Sequence, residues 1–140
     1  LAHPPEVLCP FFGDAKNLEA IPPPFLHFQV LGQSTPRTAE GTRFEYRLKL
    51  NGIPFGWRTL IASWDAPRRF VDVQESGPFA LWEHAHDFTP LAGGTLVRDT
   101  VRYRLPGGWL GAAAGGCKVD GDLGRIFDFR ARALDARFGG

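Results

Sequence analysis

From Thr42 to Leu105 the chain alternates apolar and polar residues with a period of two, and tight-turn signals cut the alternation into short lengths. Such a pattern builds an antiparallel meander with one face on a core and the other in water. Phe44, Tyr46, Leu48 and Leu50 alternate with Arg43, Glu45, Arg47 and Lys49. Asn51-Gly52 comes next, the strongest short hairpin signal, because its turn needs positive φ at both central residues. The next strand runs through Trp57 and Ile61 to a turn at 65–68. Further strands are expected at 70–75, 81–88 and 95–105, separated by Ser76-Gly77-Pro78 and a turn at 90–94.

Each turn fixes which residues face one another, and facing side chains share a side of the sheet. With no bulges, Leu48 faces Phe55, Tyr46 faces Trp57, Ile61 faces Asp72 and Thr59 faces Gln74. Asp72 then faces His84, Gln74 faces Trp82, His86 faces Asp99 and His84 faces Val101. One face collects Phe44, Tyr46, Leu48, Phe55, Trp57, Trp82, Phe88, Val97, Val101 and Tyr103, and among them Asp72, Gln74, His84, His86 and Asp99. The other face pairs Arg58 with Glu75, Glu83 with Arg102 and Asp87 with Arg98, a charge match that supports the register independently. A polar patch on an otherwise apolar face costs free energy unless its members are paired, hydrated or turned to a cavity.

Around the meander lie helical signals. Residues 4–21 predict two short helices, the first opened by Pro4-Pro5-Glu6 and stopped at Gly13, the second capped by Asp14 and ended by Pro22-Pro23-Pro24. A strand is expected near 26–31 and a polar loop over 32–41. After Pro106-Gly107-Gly108 a Gly/Ala-rich stretch leaves the structure open. A helix is expected from about 120 to 138, with Leu123, Phe127, Ala131, Leu134 and Phe138 as its apolar stripe. The fold class is α+β, a curved antiparallel sheet around a long C-terminal helix, in a single domain spanning 1–140.

Composition narrows the function. A net charge of +1 argues against a nucleic-acid partner. No apolar run approaches the roughly 20 residues of an integral membrane segment. Cys9 and Cys117 have neither CxxC nor metal spacing and read as structural thiols, which suits a cytoplasmic protein. The chain has no Met and starts at Leu1, so a preceding segment is expected to be missing.

The chain resembles the START-like, or Bet v 1-like (SRPBCC), superfamily of helix-grip proteins. Its nearer likeness is to the bacterial polyketide cyclase/dehydrase and coenzyme Q-binding-like branch. The resemblance rests on Pro4-Pro5-Glu6-Val7 with Phe11-Phe12, Asn17-Leu18, Pro22-Pro23, Gly52-Ile53-Pro54 with Trp57, and Phe70-Val71-Asp72-Val73-Gln74. It continues through Gly77-Pro78-Phe79, the stretch Trp82-Glu83-His84-Ala85-His86-Asp87-Phe88, and Ile126-Phe127-Asp128-Phe129-Arg130. It implies a cavity between sheet and C-terminal helix for lipids, isoprenoids or polyketide-like molecules, with no fixed chemistry. It also implies a strand before the Pro-Pro segment, of which only Leu1–His3 remain here.

The expected ligand-binding residues are Tyr46, Trp57, Thr59, Asp72, Gln74, Trp82, His84, His86, Asp99, Tyr103, Phe127 and Arg130. A buried His–Asp hydrogen-bond network, a ligand-contacting patch and a zinc site all fit His84 and His86 with Asp72 and Asp99. The spacing alone is a weak metal signal, so neither metal nor cofactor is expected. Binding of a hydrophobic small molecule is the leading function. An enzyme using His84, His86, Asp72 and Asp99 as acid and base is one alternative. A protein-interaction module is the other, and Leu60, Ala62, Val71, Val73 and Ala85 with Trp64 nearby form an outer strip suited to a homodimer.

Overall fold

A computed structural model describes residues 1–14, 17, 19, 21–50, 52–105 and 108–138, with the backbone alone described for 25, 50 and 108–120. Short turns return the chain beside itself, so six strands pair in chain order in one antiparallel sheet. They are β1 (Gln29–Gln33), β2 (Arg43–Leu50), β3 (Ile53–Asp65), β4 (Arg69–Ser76), β5 (Leu81–Leu91) and β6 (Gly94–Arg104). Helix α1 (Pro5–Phe12) precedes the sheet and α2 (Gly108–Phe138) comes after it. Gly52 and Gly93 turn the β2–β3 and β5–β6 hairpins with φ of 78° and 82°, which side chains with a Cβ adopt poorly.

The register agrees with parity at the centre of the sheet. Tyr46 faces Trp57, Ile61 faces Asp72, Asp72 faces His84 and His86 faces Asp99. It departs at two bulges, one on β4 where Glu75 is the extra residue opposite Arg58-Thr59, and one on β3 where Ala62 is the extra residue between Ile61 and Ser63. The first bulge sets Arg58 opposite Ser76 rather than Glu75. Arg58 instead pairs with Glu45 at 2.6 Å, and Glu75 with Arg43 at 2.7 Å. The second bulge inserts a residue and so reverses the facing of the residues beyond it. Trp64, expected outside, therefore faces Phe70 across the strands, the two rings 5.0 Å apart and tilted by 38°. Ala85 is buried as well, so the outer apolar strip is interrupted. Asp87 faces Arg98 as expected but makes its ion pair with Arg69 at 3.2 Å. Glu83 and Arg102 do meet, at 3.7 Å.

Three further expectations are corrected. Leu26 belongs to a 3₁₀ turn (Pro24–Leu26) followed by His27 at φ 47°, so β1 starts later, at Gln29. The turn between β5 and β6 contains only Ala92 and Gly93. Helix α2 begins at Gly108, taking in the Gly/Ala-rich stretch. Ala131 is exposed on it, and Arg130 occupies the inward position between Phe127 and Leu134. The second short helix expected over 14–21 falls largely on residues outside those described.

The core closes one end of the grip. Leu8, Cys9 and Phe12 of α1 join Phe44, Ile61, Phe70 and Phe88 of the sheet and Leu134 of α2. Phe12 meets Phe88 edge to face at 5.2 Å, and Arg130 lies over its ring at 4.9 Å. Leu1 exchanges two backbone hydrogen bonds of 2.8 Å with Thr95, so the start of the chain lies on the β6 edge. Beyond that point β6 has no neighbouring strand among the described residues, and the sheet is not closed.

Candidate functional site

Between the sheet and α2 lies a cavity of about 190 Å³. Strands β2 and β3 supply Tyr46, Leu48, Trp57 and Thr59, and α2 supplies Leu123, Ile126, Phe127 and Arg130. Trp82, His84 and His86 enter from β5 and Asp72 from β4. Period two explains the triplet from β5, since alternate residues of one strand share a face. The aromatic wall is continuous: Trp57 meets Trp82 edge to face at 5.3 Å, and Phe79 lies 4.9 Å from Trp82.

One end of the cavity is polar. His84 and His86 stack at 3.7 Å, and the ring of Phe127 meets His84 edge on at 5.5 Å. Nε2 of His84 lies 2.9 Å from Oδ1 of Asp99, and Nε2 of His86 lies 2.6 Å from Oδ2 of Asp72. Both contacts run diagonally between residues that do not face each other in the register. Arg130 reaches in from α2 and donates through Nε and Nη2 to Asp99 at 3.2 and 3.3 Å. Nδ1 of His86 is buried with no hydrogen bond, 3.4 Å from Oδ1 of Asp99.

These contacts set the charges. Burial alone would raise the Asp99 carboxyl, but the His84 bond, the His86 ring close by and the Arg130 charge hold it well below the usual carboxylate range. Asp72 obeys the same logic: burial raises it, and the His86 bond with the His84, His86 and Arg130 charges brings it lower. For His86, burial favours the neutral ring, yet Asp72 and Asp99 together outweigh it and raise the pKa. His84 goes the other way, because burial and the neighbouring His86 charge outweigh its bond to Asp99. Burial, then the Asp72 charge, raise the Tyr46 phenol, with Thr59 acting against them. These directions favour a proton on His86 over one on His84, beside two carboxylates and the Arg130 guanidinium.

Nine of the twelve expected ligand-binding residues line this cavity: Tyr46, Trp57, Thr59, Asp72, Trp82, His84, His86, Phe127 and Arg130. Gln74 does not, since both ends of its amide bond the main chain of Phe79, at 2.7 and 3.1 Å. Asp99 and Tyr103 line a separate groove between β6 and α2 with Val101 and Leu123. Sequence reasoning missed Ile21, Pro22, Leu26, Phe28 and Phe79, which come from connecting segments where periodicity carries no information. It also missed Leu48, Leu123 and Ile126, although the first two lie on faces that periodicity turns inward.

Asp72, His84 and His86 place donor atoms within 4.8 Å of one another, the spacing of a metal site before closure. Both Nε2 atoms already meet carboxylates, so an ion held through Nε2 would require breaking those bonds, and only the Nδ1 atoms are left as histidine donors. Cys9 is no nucleophile: it is fully buried, and burial pushes its thiol up to about 11. The side chain of Cys117 lies outside those described. Among the described residues no helix is long and apolar enough to cross a membrane.

No family model and no curated protein matches the chain. Solved structures do, over nearly its whole length. It is similar to a START superfamily protein from Mycobacterium smegmatis, with TM-score 0.68 at 16% identity, covering 99% of this chain and 92% of that one. This chain has the START-like fold. The chain is also similar to a protein from Thermus thermophilus, with TM-score 0.70 at 23% identity, covering 99% of this chain and 91% of that one. Ara h 8.0201 matches the chain with TM-score 0.59 at 12% identity, covering 96% and 92%.

Proposed function

We propose that this protein binds a small hydrophobic molecule in the cavity, its body among Trp57, Phe79, Trp82 and Phe127 and its polar group beside His84. One observation carries the reading: an apolar, aromatic-walled space ends on a buried polar cluster that α2 helps to form. Such convergence of a few polar groups in an apolar hollow suits ligand recognition. Packing alone would be served better by apolar residues at positions 72, 84, 86 and 99. Native mass spectrometry of the purified protein should show an apolar molecule bound one to one. Ile126→Trp, which fills the space from α2, should abolish that binding and leave the fold intact. Unchanged binding in this variant would overturn the reading.

A second reading is acid–base catalysis of cyclase or dehydratase type, supported by the pairing of each histidine with its own carboxylate. A fixed imidazole that opens on the cavity can exchange a proton with an enol or enone. That reading expects His84→Gln to retain binding and lose turnover. Equal loss of both would refute it.

A further inference from the structure

The tautomer of His84 limits what the cavity accepts. A carboxylate can only accept a hydrogen bond, so the nitrogen facing Asp99, Nε2 of His84, carries the proton. The ring itself is neutral. It stacks at 3.7 Å on His86, the imidazole with carboxylates near both nitrogens, and a second cation there would be repelled by the first. In a neutral ring with Nε2–H, Nδ1 is a lone-pair acceptor.

That acceptor has no protein partner among the described residues. The only buried side-chain nitrogen or oxygen sealed off without a partner among them is Nδ1 of His86. Nδ1 of His84 therefore stays open, on a ring that is 7% exposed and lines the cavity. An acceptor removed from bulk water without a donor is costly, and an incoming donor offsets that cost.

Charge makes the second selection. Asp72 and Asp99 are already paired, with His86 and with His84 respectively, and Arg130 donates to Asp99 from two nitrogens. A ligand carboxylate would bring a third negative charge into an apolar space and set its lone pairs against that of Nδ1. Size makes the third. A cavity of roughly 150 Å³ admits benzene, so about 190 Å³ suits one ring or two fused rings.

We propose that the ligand is a neutral aromatic or enolic ring compound whose hydroxyl donates a hydrogen bond to Nδ1 of His84. This deepens the binding reading above and rests on it.

The test is to titrate the full chain with naphthalene, 2-naphthol, 2-methoxynaphthalene and 2-naphthoate at neutral pH, monitoring fluorescence from the cavity tryptophans. The naphthol should bind about three- to tenfold more tightly than naphthalene, the worth of one net hydrogen bond. The methyl ether, which has the oxygen but no donor, should gain nothing, and the naphthoate should bind more weakly than naphthalene. In His84→Leu the order should invert, with naphthol below naphthalene because its hydroxyl now loses water for nothing. His84→Gln, which retains an acceptor oxygen, should restore the preference.

If naphthalene binds but the naphthol does no better, or the ether matches it, the hydroxyl proposal fails and apolar binding stands. If none of the four binds, both fail. The wild-type series decides even if His84→Leu does not fold.

Discussion

His84 and His86 stack face to face, their centroids 3.7 Å apart and their planes 26° from parallel. Two like charges cannot share that contact cheaply, so the rings divide the proton between them unequally. His86 keeps it, because Asp72 and Asp99 lie near its two nitrogens. NMR titration of the ring signals should show His86 losing its proton above the ordinary imidazole range near 6.5 and His84 below it. The linkage has opposite signs. His86 adds stability that is complete below the unfolded pKa and is lost as pH rises through its raised folded value. His84 adds stability present above the unfolded pKa and lost as pH falls through its lowered one. One shared transition near 6.5 would contradict this division.

Asp99 joins three elements of the site: β6, β5 through His84, and α2 through Arg130. Asp99→Asn should therefore cost about 3 kcal/mol, because it leaves Arg130 as a largely buried cation without its counterion. Arg130→Met should recover part of that loss in the Asp99→Asn background. Urea unfolding of both single variants and the double variant measures the coupling. Simple additivity would show that the two residues act separately. The carboxylates also predict acid sensitivity, since Asp72 and Asp99 are lowered. Their contribution is present above the unfolded value of about 3.9 and is lost as pH falls through the folded values.

The polar cluster is legible in the sequence because side-chain facing needs only parity, and the Gly52 and Gly93 turns set the register of both hairpins. The bulges are not legible. Nothing around Glu75 or Ala62 signals an extra residue, so alternation alone sends Trp64 outward and matches Glu75 with the wrong arginine. The diagonal bonds of His84 and His86 depend on rotamers and on strand twist, which residue spacing does not encode. Residue preferences make helix α2 too short because each glycine in its first half costs about 1 kcal/mol relative to alanine. Only tertiary context overrides that preference.

The inward turn of Trp64 has a direct test. A Cβ at Gly13 would lie 2.6 Å from Cη2 and 3.1 Å from Cζ3 of Trp64. Gly13→Ala should therefore destabilise the protein by about 1–3 kcal/mol, the usual cost of overpacking. Adding Trp64→Leu should make the alanine nearly neutral. If Trp64 pointed outward as strict alternation requires, Gly13→Ala would cost the same in both backgrounds.

The outer face should be far more tolerant. Arg43–Glu75 and Arg58–Glu45 are short ion pairs on exposed side chains, where solvent screens the charges and ordering two long side chains costs entropy. Glu75→Gln should change stability by less than about 1 kcal/mol. Arg43, which bonds Glu75 directly, should couple to it in a double-mutant cycle more strongly than Arg58, which acts on it through charge alone. A stronger coupling to Arg58 than to Arg43 would mean that β3 and β4 pair as unbroken alternation requires, without the bulge at Glu75.

Cys9 offers a probe of the core between α1 and the sheet. It is fully buried between α1 and the sheet, and burial raises its thiol from 9.0 to about 11. Two pH units mean roughly a hundredfold less thiolate at neutral pH, before access is considered. In a Cys117→Ser background, Ellman's reagent should label Cys9 at the rate of opening rather than of chemistry. Raising the reagent concentration should leave that rate unchanged once labelling outpaces reclosure. A cavity ligand should slow it, because a ligand that binds only the folded chain reduces the population of the open form. Prompt labelling in native buffer, proportional to reagent, would mean that α1 does not cover this part of the core.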